Sequence, residues 1–477
     1  MGCLGASARR LVDALADAGH TLWQILPISP PDATGSPYCS EGAMAISRML
    51  VDPEALIAQG LLLEGEVPTP PVADPRRVDF EQARAQADAI WDAAWRRCRD
   101  EANPALLSMI ASYYDAQPWL HAFARFAART RVVGHHDWAR WPDAVRTTDA
   151  EESEVWDAAH EESIDRVIFE QALLALQWLA LRAYANERGV RIIGDVPIFV
   201  ADASADVWAS PELYDLDEAG RPNHVAGVPP DYFSEVGQRW GNPLYRWDKM
   251  QERGFAWWTE RFATAFQRFD EVRVDHFRGF EAYWQVPADH ETAIHGSWVE
   301  GPGRAFFDHL VSALGPEHAP GDERPLPILV EDLGIITPGV EALRDAYAFP
   351  GCRVLHFGLG DDPNNPHRPD AVIERSVVYT GTHDNNTTRG WYAALDGHGQ
   401  WLARERFGAE GEHDIARAVW RRALATPARW VIGTPQDALN LGGEARFNAP
   451  GTVEGNWTWR MDDPTFEELC AALPGWT

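Results

Sequence analysis

The chain has 477 residues, which is enough for one large domain with insertions or for two or three ordinary domains. It carries 42 Lys and Arg against 72 Asp and Glu, a formal net charge of −30, which argues against nucleic acid and anionic membrane surfaces as partners and is compatible with a neutral substrate. The five cysteines lack C-x-x-C spacing, and neither a signal-peptide pattern nor an apolar run of about 18 residues occurs, so we expect a cytoplasmic protein without a disulfide framework, structural zinc or membrane span.

The first predicted elements are a helix over residues 6–19 and a strand over residues 22–27. The loop over residues 29–40 is rich in Pro, Ser and Gly and contains Ser36, Pro37 and Tyr38. From its local sequence, this loop is either an ordinary turn or a substrate-facing loop.

Residues 79 to about 189 are dominated by helix formers with interleaved aromatic residues, which we expect to lie in the core. The clearest predicted helix has apolar side chains at steps of three and four residues: Ile164, Val167, Ile168, Ala172, Ala175, Leu176, Leu179 and Ala183. Gly189 stands where the residue just beyond a helix is often glycine. We interpret this block as a largely helical inserted subdomain over residues 79–162, followed by one barrel helix.

From residue 190 onward, short β-rich runs alternate with helical or loop segments, which is typical of a parallel sheet. With residues 22–27 there are seven predicted strands, the others being 190–195, 271–275, 328–331, 353–357, 377–380 and 430–433. An α/β barrel of the (β/α)8 TIM type has eight strands and collects its active site at their C-terminal ends. We therefore predict such a barrel, with residues 1–78 as its N-terminal part and residues 163–477 as the remainder after the insertion.

Acidic residues follow four of these strands at the point where each strand ends. They are Asp195, Asp275, Glu331 and Asp384, the last of them preceded by His383. Because the C-terminal ends of parallel strands meet at one rim of a barrel, we expect these side chains to converge. A single acid at a strand end is more often structural, but four acids together with Arg273 and His383 favour a catalytic site.

Arg273 and Asp275 lie two residues apart on a predicted strand, so their side chains share a face. A nearby guanidinium favours the ionised carboxylate that a nucleophile needs, although a structural ion pair is the alternative. Glycoside cleavage uses such a carboxylate with a second carboxyl group that protonates the leaving oxygen. Glu331, in a predominantly apolar strand, suits that second role, and Asp384 would contact sugar hydroxyl groups. A retaining reaction places the two carboxyl groups about 5–5.5 Å apart.

Two other chemistries are less well supported by the sequence. Metal catalysis is disfavoured because neither an H-E-x-x-H helix nor an EF-hand loop occurs, and His383 with Asp384 alone is a weak ligand signal. Phosphate binding is disfavoured because no P-loop and no G-x-G-x-x-G motif follows a strand. We predict no metal and no cofactor.

Several longer segments match one family. They are 194–200 (GDVPIFV), 226–234 (AGVPPDYFS), 237–245 (GQRWGNPLY), 272–279 (VRVDHFRG), 331–334 (EDLG), 379–385 (YTGTHDN) and 455–457 (GNW). On these motifs the sequence resembles the amylomaltases, which are 4-α-glucanotransferases or disproportionating enzymes of the α-amylase superfamily. The resemblance extends from about residue 2 to the C-terminus and is strongest between residues 190 and 460.

The resemblance implies a role for each catalytic residue. Asp275 matches the nucleophile, Glu331 the general acid and base, and Asp384 the residue that stabilises the transition state. Arg273 and His383 match residues that assist them. The implied donors and acceptors are α-1,4-glucans and maltooligosaccharides, and neither a metal nor an organic cofactor is implied.

The resemblance also implies a set of substrate-binding residues: Asp195, Ser36, Tyr38, Tyr232, Trp240 and Asn385. Asp195 falls on the family's further active-site acid, and Ser36 and Tyr38 match a donor-side glucan-binding motif. Residues 226–245 resemble a lid loop over the donor chain, to which Tyr232 and Trp240 contribute sugar contacts.

The sequence departs from the family pattern at several places. The family opens with a further strand that carries a Thr-Ser-Leu-Pro-like motif. This chain begins just after that strand, so the predicted barrel lacks it and we expect a start upstream of Met1. Asp202 with Ala203, Asp370 with Ala371, and residues 39–44 also differ from the family's usual residues. These changes leave the predicted catalytic acids intact and bear on glucan affinity and chain length.

The sequence thus predicts a cytoplasmic 4-α-glucanotransferase that passes glucan segments between maltooligosaccharides through an ester on Asp275. One alternative is an α-1,4-glucan hydrolase of similar fold, in which water takes the place of the acceptor. Another is a catalytically impaired glucan-binding protein, because the first barrel strand is missing. Retention of the three acids argues against a pure binding protein, which gains little from a proton donor and a nucleophile.

Overall fold

A computed structural model of the chain describes residues 2–69, 71–101, 103–148, 150–230, 234–318, 323–452 and 454–476. The strands are β1 Leu22–Gln24, β2 Arg191–Val196, β3 His224–Val228, β4 Gln238–Pro243, β5 Glu271–Val274, β6 Ala282–Pro287, β7 Ser297–Glu300, β8 Ile328–Val330, β9 Gly351–Val354, β10 Ser376–Tyr379 and β11 Trp430–Ile432. The α-helices are α1 Ala6–Asp17, α2 Pro53–Ala58, α3 Phe80–Asp100, α4 Pro104–Asp115, α5 Pro118–Val133, α6 Asp143–Arg146, α7 Ala150–Ala159, α8 Glu161–Glu187, α9 Ala205–Ala209, α10 Trp247–Glu252, α11 Ala256–Arg268, α12 Gly303–His318, α13 Pro338–Ala346, α14 Thr388–Ala394, α15 Gly397–Phe407, α16 Ile415–Leu424, α17 Pro435–Ala438 and α18 Asp463–Ala472.

The barrel sheet is formed by the seven strands that the sequence predicts. They are parallel, in the order β1-β2-β5-β8-β9-β10-β11, so β1 and β11 are the two ends of a nearly closed barrel. α-Helices connect most successive strands, for example α12 between β5 and β8 and α13 between β8 and β9. The predicted TIM-type architecture with helical insertions is therefore confirmed.

Burial on both faces explains why the sequence located these strands. All residues of β5, β8 and β10 are buried, as expected for parallel strands that are covered by helices outside and by side chains inside. Such strands are short apolar runs bounded by polar residues. The charged side chain of Arg273 interrupts the run in β5, and the candidate site is built around it.

The long predicted helix is α8, but its buried surface differs from the prediction. Gly189 follows it with φ +78°, as expected beyond a helix end. Leu176 and Leu179, which the spacing places on the core face, are 39% and 43% exposed, whereas Trp178 is buried and donates to the carbonyl of Arg268 at 3.0 Å. Because α8 is apolar around most of its circumference, apolar spacing alone does not identify a single core face.

A second sheet was not predicted. It is antiparallel, in the order β4-β3-β6-β7, and the end of β3 and the whole of β4 lie within the 226–245 segment that the sequence predicts to be a lid loop. Glycine and proline obscure the strand pattern there. Gly237 has φ +69°, and a Cβ atom on it would lie 2.5 Å from the carbonyl oxygen of Val228, so the turn between the two strands requires glycine.

Helices α3 to α7 occupy the predicted insertion over residues 79–162. Their separation from the barrel as a subdomain stays a prediction, because their buried aromatic side chains belong to the same large core as barrel residues. No helix in the described ranges is both long and apolar enough to cross a membrane.

Candidate active site

Arg273 on β5 joins Asp195, which lies one residue before the end of the neighbouring strand β2, to Asp275, which directly follows β5. Its Nη1 atom donates to both carboxylate oxygens of Asp195, at 2.8 and 2.7 Å, and to Oδ1 of Asp275 at 2.9 Å. The register of β2 and β5 places Asp195 opposite Arg273. The side chains of Arg273 and Asp195 are 5% and 0% exposed, while that of Asp275 is 25% exposed. Asp275 is therefore the acid of this trio that a ligand can reach.

The charges in this trio depend on one another. Burial disfavours a charged guanidinium, but Asp195 and Asp275 outweigh it and hold the pKa of Arg273 well above its ordinary value. Burial raises the pKa of Asp195, and Arg273 opposes that rise. A guanidinium that stays charged keeps a fixed positive group beside the carboxyl group of Asp275.

Tyr38 links the early loop to these acids. Its hydroxyl group donates to Oδ2 of Asp195 at 2.7 Å, and its ring stacks on that of His383 with centroids 5.0 Å apart and planes at 20°. Burial raises the pKa of the Tyr38 hydroxyl well above its ordinary value, so it remains a donor. The loop that contains Tyr38 therefore faces the candidate site.

Glu331 follows β8 and lies against the residue next to Asp275. The backbone N–H of His276 donates to its Oε2 atom at 2.8 Å, and that of Leu333 donates to Oε1 at 2.9 Å. Burial and the charge of Asp275 raise the pKa of Glu331 to about 7, against the opposing effects of Arg273 and the two N–H groups. A carboxyl group that titrates near neutral pH can both give and take a proton.

The backbone of His276 is held in an unusual conformation beside this carboxyl group. Its φ is +46°, in the left-handed region that side chains other than glycine rarely adopt. Burial lowers the pKa of its ring to about 4, and its Nε2 atom has no hydrogen-bond partner in the described part of the chain. The ring of Trp240 contacts it edge-on, with centroids 4.8 Å apart. The conformation turns the N–H of His276 toward Glu331.

Asp384 is held by a separate set of donors. Asn448 Nδ2 donates to its Oδ1 atom at 2.7 Å, and His383 Nε2 lies 3.3 Å from Oδ2. Partial burial acts to raise the pKa of Asp384, but His383 and Asn448 outweigh it and lower that pKa to about 2. Burial acts to lower the pKa of His383, but the charge of Asp384 outweighs burial. The pKa of His383 is therefore raised. The Asp384 side chain is 46% exposed, so a charged carboxylate faces the open side of the site.

Ser36 and Asn385 form hydrogen bonds with residues two or three positions away in the sequence. The Ser36 hydroxyl accepts from the N–H of Tyr38 at 3.4 Å. Asn385 Oδ1 accepts from the N–H and the hydroxyl of Thr382, both at 2.9 Å, and so shapes the turn that carries Asp384. Tyr232 lies outside the described residues. The substrate contacts proposed for these side chains stay predictions.

Three residues of the site were not predicted, and the first of them, His276, contributes its backbone N–H. Asn448 gave no signal, because it lies in an irregular loop and its contact with Asp384 spans 64 residues of sequence. Trp457 has a ring centroid 5.8 Å from those of both Tyr38 and His383, so the three rings form an aromatic group beside the acids. Its motif, residues 455–457, could have identified it, but the motif alone does not assign Trp457 a role.

Together these groups can carry out a displacement at an acetal carbon. Asp275 is accessible and held beside a cation, Glu331 can exchange a proton near neutral pH, and Asp384 remains charged. Within the described ranges, no group of three or more His, Cys, Asp or Glu side chains has an arrangement that could hold a metal ion.

Known proteins resemble the chain over nearly its whole length. A family model described as 4-alpha-glucanotransferase matches residues 1–465. A 4-alpha-glucanotransferase of Thermus thermophilus is 42% identical over 469 residues, which cover 97% of this chain and 91% of that protein. One from Synechocystis is 41% identical over 464 residues, 96% of this chain and 90% of that protein.

The solved structure of an amylomaltase from Streptococcus agalactiae in complex with acarbose superposes on the chain with a TM-score of 0.93. The two sequences are 32% identical, and the match covers 99% of this chain and 94% of that one. The likeness therefore includes the barrel, the second sheet and the helical insertions together.

Proposed function

We propose that this chain, which belongs to the 4-alpha-glucanotransferase family and is a glycosyltransferase of that type, moves segments of α-1,4-glucans between maltooligosaccharides through a covalent ester on Asp275. The observation that carries the proposal is the pairing of two carboxyl groups in different surroundings. The guanidinium of Arg273 donates a hydrogen bond to Asp275. The backbone N–H of His276 donates to Glu331, whose pKa is about 7. These are the properties that a nucleophile and an acid and base require in a retaining reaction.

In the first half of the reaction, Glu331 is protonated and Asp275 is ionised. Asp275 attacks the anomeric carbon of the donor while the proton of Glu331 moves to the glycosidic oxygen. The bond from that carbon to the glycosidic oxygen breaks as the ester bond forms. The leaving glucan departs with a free 4-hydroxyl group, and the donor segment stays on Asp275.

Ester formation itself prepares Glu331 for the second half. The negative charge of Asp275 is one of the two main causes of the raised pKa of Glu331, and the ester removes that charge. The pKa of Glu331 therefore falls, and its carboxylate accepts the proton of an incoming 4-hydroxyl group. The acceptor oxygen attacks the anomeric carbon and the ester breaks. Two successive inversions leave the new bond in the α configuration.

Asp384 supports both halves through its charge. Because its pKa is about 2, it stays ionised while positive charge develops on the sugar in each transition state. Its exposed carboxylate can also accept hydrogen bonds from sugar hydroxyl groups. Hydrogen bonds that strengthen as charge develops contribute to rate rather than to binding alone.

Trapping the ester tests the covalent step. The Glu331→Gln variant is incubated with α-maltosyl fluoride, whose leaving group needs no proton donor. We expect a maltosyl adduct on the peptide that contains Asp275, seen by mass spectrometry of a protease digest. The Glu331→Gln variant that also carries Asp275→Asn is the matched control and should remain unlabelled. An adduct on a different residue, or the same adduct in the control, would contradict the mechanism.

A second experiment separates transfer from hydrolysis. Incubation with maltotriose should yield glucose and oligomers longer than maltotriose without an increase in the number of reducing ends, because each cleaved bond is replaced by another. An increase in reducing ends without chain lengthening would favour the α-1,4-glucan hydrolase. If maltotriose were neither lengthened nor hydrolysed, the result would favour a glucan-binding protein without activity.

A further inference from the structure

A cavity of about 420 Å³ lies beside the second sheet, between β6, β7 and the first turns of α12 and α13. None of the residues placed in the candidate active site lines it. Its lining includes Trp298, Glu281, Glu300 and Arg304, and we name it the Trp298 cavity. Its volume lies within the range of about 300–1,000 Å³ that is typical of small-molecule sites.

Trp298 gives this cavity a flat apolar wall. The residue lies on β7, an edge strand of the second sheet, and is 38% exposed. The Arg278 guanidinium lies over the indole, 3.9 Å from the ring centroid, and Trp284, its partner across the strands, contacts it edge-on at 5.2 Å. These contacts fix the plane of the indole. An indole held in one orientation beside open space suits stacking of a pyranose ring.

The polar groups around Trp298 favour a neutral ligand that offers both donors and acceptors. Glu281 Oε2 and two nitrogens of Arg278 are buried without a hydrogen-bond partner in the part of the chain that the structure describes. Their shortest separation, from Arg278 Nη1 to Glu281 Oε2, is 3.8 Å. Around Trp298, the two acids Glu281 and Glu300 are balanced by two cations, Arg304 in the cavity lining and Arg278 over the indole. A site without net charge selects neither anions nor cations, whereas a sugar hydroxyl group both donates and accepts.

We propose that the Trp298 cavity is a second α-glucan-binding site, in which a glucose unit stacks on Trp298 and places its hydroxyl groups near Glu281 and Arg304. The identity of the sugar rests on the proposed function, because an α-glucan is the substrate of that reaction. Arg278 and Glu281 lie within six residues of Asp275, on the connection between β5 and β6. A long glucan held at this second site has a raised effective concentration at the first, while a short one gains nothing.

Binding to amylose tests this site. The Asp275→Asn background limits turnover, and affinity is measured by electrophoresis in gels that contain increasing amounts of amylose. Adding Trp298→Ala should raise the apparent Kd by about threefold to tenfold, the loss expected for an aromatic stacking contact. Adding Trp401→Ala is the matched control, since Trp401 on α15 is 49% exposed and lies outside the cavity. It should leave the Kd unchanged.

A kinetic comparison in the otherwise unaltered enzyme completes the test. Trp298→Ala should raise KM for amylose while leaving kcat and KM for maltotriose within about twofold of their original values, because the shorter glucan does not reach both sites. Arg304→Ala, a change at the rim, provides a second variant if Trp298→Ala does not fold. Unchanged amylose affinity in every folded variant, or an equal loss on maltotriose, would overturn the proposal. Failure of the proposed function would be seen separately, as turnover by Asp275→Asn.

Discussion

At the scale of single residues, Glu331 and Asp275 are suited to different roles because their surroundings differ. Desolvation of Glu331 and the nearby negative charge of Asp275 favour its protonated form, so its pKa rises to about 7. Asp275 is partly exposed and accepts a hydrogen bond from a guanidinium that remains charged. The negative charge of Asp275 therefore helps to set the protonation of Glu331.

This coupling predicts the alkaline limb of the pH profile. Because the first half of the reaction needs protonated Glu331, kcat/KM for maltotriose should fall as pH rises through about 7. Glu331→Gln should lower kcat/KM by about 10²- to 10⁴-fold, the usual contribution of a general acid, and should lose this limb. A profile of initial rates against pH measures both. A profile of the unaltered enzyme that stays flat through this pH would show that Glu331 is not the proton donor.

Tyr38 contributes a hydrogen bond and a ring contact, and two variants separate them. Tyr38→Phe keeps the stack on His383 but removes a donor from the buried carboxylate of Asp195, so kcat should fall by about tenfold, equivalent to a loss within the range of about 1–3 kcal/mol. Tyr38→Ala also removes the ring and should cost more. Steady-state kinetics on maltotriose measures both. An unchanged rate in Tyr38→Phe would contradict the role of the hydroxyl group, and equal rates in the two variants would contradict a contribution from the ring.

The sequence could predict residues whose positions follow from strand ends, but not those whose positions depend on loop paths. Asp195 and Asp275 come together because their strands are parallel neighbours and both strands end at the same rim. Asn448 reaches Asp384 from an irregular segment, for which no periodic pattern exists. The contribution of His276 to Glu331 comes from its backbone, so its side chain type does not reveal it.

At the scale of elements, the strands of the barrel sheet could be predicted from the sequence, but those of the second sheet could not. Barrel strands such as β5 and β10 are buried on both faces and stand out as apolar runs. In the second sheet, four of the six residues of β4 are partly or fully exposed, and the strand contains glycine and proline. Its sequence is therefore typical of a loop. Pairing with β3, a contact between different segments, holds it in the extended conformation.

The junction of β8 and β9 gives a prediction at this scale. Asp332, directly after Glu331, accepts from Arg344 at 2.7 Å and from the N–H of Cys352 at 2.7 Å, so its carboxylate has little freedom to move. A Cβ atom on Gly351 would lie 2.4 Å from Asp332 Oδ2. Gly351→Ala should therefore destabilise the protein by about 1–3 kcal/mol, the usual cost of overpacking. Thermal unfolding should show a lower Tm.

Gly360→Ala is the matched control for this prediction. A Cβ atom on Gly360 would meet no other side chain or backbone segment within 4 Å, and the φ of this residue is not positive, so the same substitution there should change the Tm little. If Gly351→Ala and Gly360→Ala unfolded at the same temperature, the close packing of Asp332 against β9 would not limit stability.

At the scale of the whole molecule, two helices that are far apart in the sequence, α1 and α18, pack against each other. β1 and β11 are the end strands of the sheet, and α1 precedes β1 while α18 follows β11. α1 and α18 contact each other, and Arg10 of α1 forms an ion pair with Glu467 of α18. This exposed ion pair contributes little to stability, so the apolar contact between the helices is the important one.

Leu469 is the centre of that apolar contact, and its truncation tests whether the contact supports the barrel. It is 2% exposed and belongs to a cluster with Ala18 and Leu473, against which Leu11 and Leu15 of α1 also pack. Leu469→Ala should lower the free energy of unfolding by about 2–5 kcal/mol, the usual cost of a buried leucine-to-alanine change. Leu424→Ala, on α16, removes the same atoms from a residue that is 42% exposed, and should have an effect within about 0.5 kcal/mol.

Because β1 and β11 carry no active-site acid, Leu469→Ala should shorten the half-life of activity on heating while leaving the initial rate at lower temperature unchanged. Equal thermal half-lives for the two variants would mean that the barrel holds its shape without the contact between α1 and α18.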